Sequence, residues 1–328
     1  MKFEFIPHTD FNFLARFAEA FNIPMLGNKL EIPSELGTGT LRKIDFDANF
    51  KLLLHHYTFK EEFVLKRQAS QKKNDTIAIL FYNTALPNYA LSNSERPHFS
   101  CSKTLNAAVE ISTGDLSSEI RFPAGTEINF TVVGIKSSAL ADLLGLESSN
   151  PILQTITNPD STFLFYEYMS EEMQRILKQL PEISEQNPLS HFYIKLKIQE
   201  LIYLLFSKLL TRENQKQQRI NNAELDRLFV IRATLLADLS QPPQLPALAK
   251  MAGMSETKMK QLFRQVFGDS IYNYFQQARM DEAAFLLKQS GYSVSEVGYR
   301  LGFTNLSHFS RLFQKHFGNT PKKYTTAG

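Results

Sequence analysis

An α+β chain is what this sequence predicts: a β-rich N-terminal sandwich or barrel with flanking helices, then an all-α C-terminal domain built from two helix-turn-helix units. Three observations carry that expectation. Short β-branched and aromatic runs separated by turn formers fill residues 38–135, a helical apolar period takes over from residue 137, and the segment 248–268 recurs as 297–318. At 328 residues the chain is about twice the size of an ordinary domain, so two cores are expected.

The strand-like runs are 51–57, 76–82, 107–111, 119–122 and 126–135, separated by Lys72-Lys73-Asn74-Asp75, Ser112-Thr113-Gly114-Asp115 and Pro123-Ala124-Gly125. Their composition and spacing suit antiparallel pairing in a sandwich or barrel. Apolar residues then fall three and four apart in 137–144, 161–180 and 188–210. In the last of these, Ile194, Ile198, Leu201, Ile202, Leu205 and Leu209 form one wide stripe, which must be covered. Its own sheet or the same helix of a second chain would serve, and Ile198, Leu201, Ile202 and Leu205 are the candidate dimer contacts. The polar stretch after it makes 211–220 a linker between a domain at 1–210 and another at 221–328.

Composition narrows the function. The chain is 43% apolar and 21% charged, an ordinary globular balance. Its apolar runs, such as 201–206, fall far short of a membrane span. Met1-Lys2-Phe3-Glu4-Phe5 lacks the pattern of a secretory signal, so a cytoplasmic location is expected. Cys101 is the only cysteine; it reads as a half-buried small hydrophobe and leaves no intrachain disulfide or multi-cysteine zinc site. Lys and Arg number 23 against 25 acids in 1–220, but 13 against 8 in 221–328. The C-terminal excess points to an anionic partner.

The repeat sharpens this. Asn222 reads as the cap of a helix ending near Leu239, before Gln241-Pro242-Pro243. Gly253-Met254-Ser255 then aligns with Gly302-Phe303-Thr304, and Met259, Leu262, Phe263, Phe267 and Gly268 with Phe309, Leu312, Phe313, Phe317 and Gly318, with one insertion between them. Each unit reads as helix, turn, helix: Gly253 and Gly302 take the positive φ past a helix end, Ser255 and Thr304 cap the next helix, and Ser293-Val294-Ser295-Glu296 is a capping box. One face of each second helix is apolar. The other carries Thr257, Lys258, Lys260, Gln261 and Arg264 in the first unit, and Asn305, Ser307, His308, Arg311 and Lys315 in the second. Amides and hydroxyls there suit base edges in the major groove of duplex DNA, and Lys and Arg suit bases or phosphates. The apolar helix 271–287 would join the units and present both to successive grooves about 34 Å apart.

Leu248-Ala249, Gly253-Met254-Ser255, Leu262-Phe263, Arg279-Met280, Ala283, Leu286-Leu287, Leu301-Gly302-Phe303, Phe309-Ser310-Arg311-Leu312-Phe313, Phe317-Gly318, Thr320-Pro321 and Tyr324 together resemble the DNA-binding domain of the AraC/XylS family of bacterial transcription regulators. The resemblance covers about a third of the chain. It implies sequence-specific promoter binding, a cytoplasmic homodimer, RNA polymerase as a partner where the protein activates, and no enzymatic activity or cofactor. It also implies an N-terminal domain that binds a small-molecule effector, dimerises, or both. Gly298, Gln261 and Thr325 depart from the family, which usually has Ala, often Arg and commonly Arg there; Gln261 puts one DNA contact of the first unit in doubt. The segment Arg121-Phe122-Pro123-Ala124-Gly125-Thr126-Glu127 resembles family members related to siderophore-responsive regulators, without assigning a ligand.

Other readings of the N-terminal half fare less well. A metal-dependent cupin needs histidines that point the same way, and His55 and His56 are adjacent, so on a strand they face opposite sides. His8, His98, His191, His308 and His316 offer no ligand spacing, and Glu61-Glu62 reads as a solvated turn. A DNA-repair alkyl acceptor needs several cysteines. An architectural DNA-binding dimer that senses nothing is the remaining alternative.

Overall fold

The computed structural model describes residues 1–7, 11–70, 75–83, 108–145, 150–184, 186–212, 218, 220–289 and 291–326. Cys101, His8, His98, the turn residues Lys72 to Asn74 and most of the stretch after Arg212 lie outside them. The chain divides into two compact units that meet between Glu224 and Leu225.

In chain order the first unit contains β1 (Lys2–Phe5), α1 (Phe13–Phe21), β2 (Met25–Leu26), β3 (Lys29–Glu31), β4 (Gly37–Asp47), β5 (Phe50–Phe59), β6 (Phe63–Arg67), β7 (Thr76–Tyr82), β8 (Ala108–Thr113), β9 (Ser118–Phe122), β10 (Glu127–Lys136), α2 (Ser137–Leu144), α3 (Pro151–Thr157), β11 (Leu164–Tyr168), α4 (Glu171–Gln179) and α5 (Ser190–Leu209). Eight strands form an antiparallel sheet in the order β11-β8-β7-β10-β5-β4-β3-β2, and β1-β6-β9 form a second, smaller sheet. The α+β class with a β-rich first half is therefore as expected.

Strand alternation gives the large sheet two different faces. Phe50 and Leu52, Ile77, Ile79 and Phe81, and Val133 and Ile135 share one core with α2, α3, α4 and α5. The residues between them face the small sheet, where Phe59 meets Phe63 at 4.8 Å between ring centres and α1 adds Phe13 and Phe17. His55 lies on that inner face, 2% exposed, while His56 points to solvent and bonds Glu127 at 2.9 Å. The two histidines diverge, and no group of three or more metal-ligating side chains occurs among the described residues.

Three expectations need correction. The stretch 161–180 is not one helix: Leu164–Tyr168 pairs with β8 as an edge strand, and the helix begins only at Glu171, capped by Ser170, whose hydroxyl accepts from the Met173 N–H at 3.2 Å. The expected linker begins inside the fold, because Arg212 donates to Glu167 and to the Tyr166 carbonyl, both at 2.7 Å. Third, Ile198, Leu201, Ile202 and Leu205 are at most 1% exposed and belong to the protomer's own core. Each such side chain contributes about 1.5–3 kcal/mol by leaving water, so that face stays with the sheet and does not meet a second chain. The outward face of α5 carries Phe192, Tyr193, Leu196 and Tyr203, 44–67% exposed.

The second unit is all helix: α6 (Asn222–Ala237), α7 (Leu245–Ala252), α8 (Glu256–Phe267), α9 (Ile271–Lys288), α10 (Val294–Arg300), α11 (Leu306–Phe317) and α12 (Pro321–Thr326). Its first cap is Asn221, not Asn222. Asn221 and Glu224 exchange hydrogen bonds at 2.9 and 3.1 Å, one residue before the expected cap. No helix of the described residues is long and apolar enough to cross a membrane.

Candidate nucleic-acid interface

Both repeats fold to the same local frame. Gly253 (φ +58°) and Gly302 (φ +75°) occupy the left-handed region just past α7 and α10. Gly253 N–H donates to the Lys250 carbonyl and Met254 N–H to that of Ala249, both at 3.1 Å; Gly302 and Phe303 donate in the same way to Tyr299 and Gly298, both at 2.9 Å. These paired bonds satisfy carbonyls that a helix end leaves open and fix the angle at which the chain leaves it. Downstream, Ser255 caps α8 by accepting from the Lys258 N–H at 3.3 Å. In the second unit the cap is Asn305, accepting from the His308 N–H at 3.0 Å, and not Thr304. The extra residue of the second repeat thus sits in the turn, between Gly302 and the cap. The capping box at Ser293 and Glu296 is formed.

The apolar faces close two cores on a shared connector. Met259, Leu262, Phe263 and Val266 of α8 are buried, with Phe263 edge-on to Tyr274 of α9 at 5.4 Å. Phe309 and Phe313 of α11 pack with Val297, Leu301 and Phe303 against Met280, Ala283 and Leu287 of the same α9. Gly298 suits this crowding: a Cβ there would lie 2.6 Å from Leu306 Cδ2 and 3.3 Å from Phe309 Cδ1. With 18 residues α9 is about 27 Å long, one stiff rod holding both units.

The outer faces place the expected residues unequally. Thr257, Lys258 and Gln261 are exposed near the start of α8, and Ser307, His308 and Arg311 near the start of α11, where a groove-bound helix contacts base edges. The His308 ring leans edge-on against Phe303, 5.9 Å between ring centres. Lys260 is tied to Glu256 at 2.9 Å, so its charge is partly neutralised within its own helix. The Asn305 side-chain oxygen is committed to the cap, leaving its NH2 to act outward. Arg264 and Lys315 lie in the last turns of α8 and α11, about 12 Å or more from the N-termini, so they suit backbone phosphates and not bases. Exposed cations that the pattern reading missed are Lys250 and Arg300, in the last turns of α7 and α10. They do not align in the repeat, because Lys250 lies three residues before Gly253 and Arg300 two before Gly302, where Tyr299 and Met251 are the matching residues.

Residues 248–327 match the family model described as "Helix-turn-helix domain". The chain is 30% identical over 180 residues to the regulatory protein PchR of Pseudomonas aeruginosa (53% of this chain, 58% of that one). It is 29% identical over 153 residues to the transcriptional activator RhaR of Cronobacter sakazakii (46% and 52%). The chain spans little more than half the length of these relatives. The PchR match is longer than 221–328 and so reaches into the first unit. A transcriptional regulator structure from Chromobacterium violaceum with an AraC-type DNA-binding domain shares 26% identity over 32% of this chain and 95% of that one, with a TM-score of 0.30. Sequence motifs, folded repeats, the family model and the matches to PchR and RhaR agree: residues 248–327 form a helix-turn-helix domain, the kind that the AraC/XylS resemblance implies.

Proposed function

We propose that the chain is a sequence-specific transcription regulator of the AraC/XylS kind, in which α8 and α11 enter neighbouring major grooves of one operator. The observation that carries this reading is the pair of turns that leave the first helix through the same glycine geometry, each followed by a capped second helix with an exposed Thr/Ser, Lys/His and Gln/Arg set at its start. Residues 221–328 hold the DNA-binding function and the first unit, which extends through Arg212, senses a small molecule, dimerises, or both. The protein acts in the cytoplasm without catalysis, and contacts RNA polymerase where it activates.

The repeats differ where they matter most for affinity, because Gln261 stands opposite Arg311. Arg311→Ala is expected to weaken binding to a selected operator by about 1–3 kcal/mol, and Gln261→Ala by less. Mobility-shift titrations at fixed salt read both. Wild-type affinity in the Arg311 variant, with its circular dichroism unchanged, would remove Arg311 from the interface.

For dimerisation the buried stripe of α5 is replaced by its outward face. Phe192, Tyr193, Leu196 and Tyr203 form an apolar strip along about 17 Å of helix, larger than scattered surface residues account for. Phe192→Lys with Tyr203→Lys is expected to give a folded monomer in sedimentation. A persistent dimer would place the contact elsewhere.

A further inference from the structure

Between the two sheets of the first unit lies a cavity of about 200 Å³. Strand register orders its lining. At one end His55 of β5 faces Phe130 of β10; in the middle Leu53 faces Val132; at the other end Lys51 faces Gly134, which in turn faces Ala78 and then Ser112. Lys136 lies two residues beyond Gly134 on the same face. The Arg67 guanidinium reaches this same end from the small sheet, donating to the Ser112 hydroxyl at 3.1 and 3.2 Å. Three cations therefore gather at one end, and the described lining contains no Asp or Glu. Glu110, just behind, lies 3.7 Å from Arg67 and accepts from Ser112 at 3.1 Å, which offsets one of the three charges.

Two buried polar atoms in this wall have no partner: His55 Nε2 and Arg67 Nε. An unpartnered buried donor or acceptor costs about 1–3 kcal/mol, and both residues line the one cavity. The His55 ring is held in place, with Nδ1 3.1 Å from the Tyr57 hydroxyl and its face stacked on Phe130 at 4.0 Å. Burial pushes its pKa down to about 3, so it meets a ligand as neutral imidazole. The four residues from His55 to Lys51 span about 13 Å, and the volume exceeds the roughly 150 Å³ cavity that accommodates benzene.

We propose that this cavity binds an elongated, mostly apolar organic anion of one or two rings, its acid group at Arg67, Lys51 and Lys136, and a hydroxyl at His55 Nε2. The proposal rests on the sensor reading of the first unit and gives it a ligand class. Apolar contact with Leu53, Val132 and Phe130 supplies affinity, and the cation end selects the anion over a neutral molecule of the same shape.

The test is calorimetric titration of the full chain with 6-hydroxy-2-naphthoate, with 2-naphthol lacking the acid and 2-naphthoate lacking the hydroxyl as comparators. The hydroxy acid is expected to bind in the micromolar range, 2-naphthol at least about tenfold more weakly, and 2-naphthoate in between. Lys51→Gln should weaken the two acids but not 2-naphthol. Gly134→Leu should abolish binding without loss of thermal stability, because a Cβ there meets nothing nearer than Thr76 Cγ2 at 4.0 Å and the longer side chain fills the cavity. Failure of the hydroxy acid to bind, equal affinity for 2-naphthol, or unchanged binding in the Gly134 variant would each overturn the proposal. Operator affinity measured with and without the probe separates the two readings: a bound probe that leaves DNA affinity unchanged keeps the cavity assignment and removes the sensor role.

Discussion

Replacing Gly302 by alanine is expected to destabilise the second helix-turn-helix unit by on the order of 4 kcal/mol and to abolish specific DNA binding, whereas Gly253→Ala costs only about 1–2 kcal/mol and leaves DNA binding nearly intact. The two glycines hold equivalent places, and both have positive φ, which costs an alanine about 1–2 kcal/mol. Their surroundings differ. A Cβ on Gly253 would meet only the Arg227 Nη1, at 3.9 Å, the far end of a flexible side chain. A Cβ on Gly302 would lie 1.9 Å from the Ser240 carbonyl oxygen and 2.8 Å from its carbon. That backbone has little room to retreat, because Asp238 accepts from both the Ser240 N–H at 2.8 Å and its hydroxyl at 2.6 Å, and Leu239 packs on the second unit's core. The turn must therefore open, and opening it misaims α11 with Ser307, His308 and Arg311. Urea unfolding and mobility shifts on both variants decide the matter. Equal destabilisation by the two substitutions would show that the close approach to Ser240 carries no weight.

What the sequence revealed follows from how many faces each element buries. The runs at 76–82 and 126–135 were readable because β-branched and aromatic residues crowd them and glycine or charged turns bound them. The run Leu164 to Tyr168 was read as helix because four of its five residues are buried on both faces, which erases the alternation that marks a strand. Only Ser170, an N-cap ahead of Glu171, signalled that the helix starts later. In α5 the period gave the helix correctly but not its orientation, since Ile198 and Leu201 on one side and Phe192 and Tyr203 on the other are all apolar. The two helix-turn-helix repeats were the most legible part, because capping, turn and core positions each recur in both. The slip from Asn305 to Thr304 arose where both residues have capping side chains and the insertion leaves the alignment free. The inter-sheet cavity was not legible at all: its cation end is assembled from Lys51, Arg67 and Lys136 on three strands, and only strand register brings them together.

Arg279→Leu is expected to cost on the order of 3 kcal/mol and, with it, operator binding, although Arg279 touches no expected DNA contact. The side chain is 4% exposed, on the connector α9. Its Nε donates to the Leu301 carbonyl at 3.1 Å, a second guanidinium nitrogen, Nη2, donates to the same oxygen, and Nη1 donates to Gln276 Oε1 at 3.3 Å. The guanidinium carbon also lies over Phe303, 3.8 Å from the ring centre. Leu301 is the C-cap of α10, the negative end of that helix dipole, so the charge is favourably placed there. Burial pushes its pKa down, with Tyr272 opposing the shift. Leucine keeps the apolar volume but leaves the Leu301 carbonyl unpaired, a loss of about 1–3 kcal/mol, and removes a desolvated cation–π contact of about 2 kcal/mol. Lysine should recover only part, since a point charge cannot both fork to one carbonyl and stack on a ring. The link to function runs through Phe303: Arg279 pins the residue that follows Gly302, and that residue supports the His308 ring at the start of α11. Hydrogen exchange of α10 and α11 should therefore quicken in Arg279→Leu while α7 and α8 keep wild-type protection. Uniform exchange across both repeats would show instead that the second domain unfolds as one piece and that Arg279 has no special hold on the second turn.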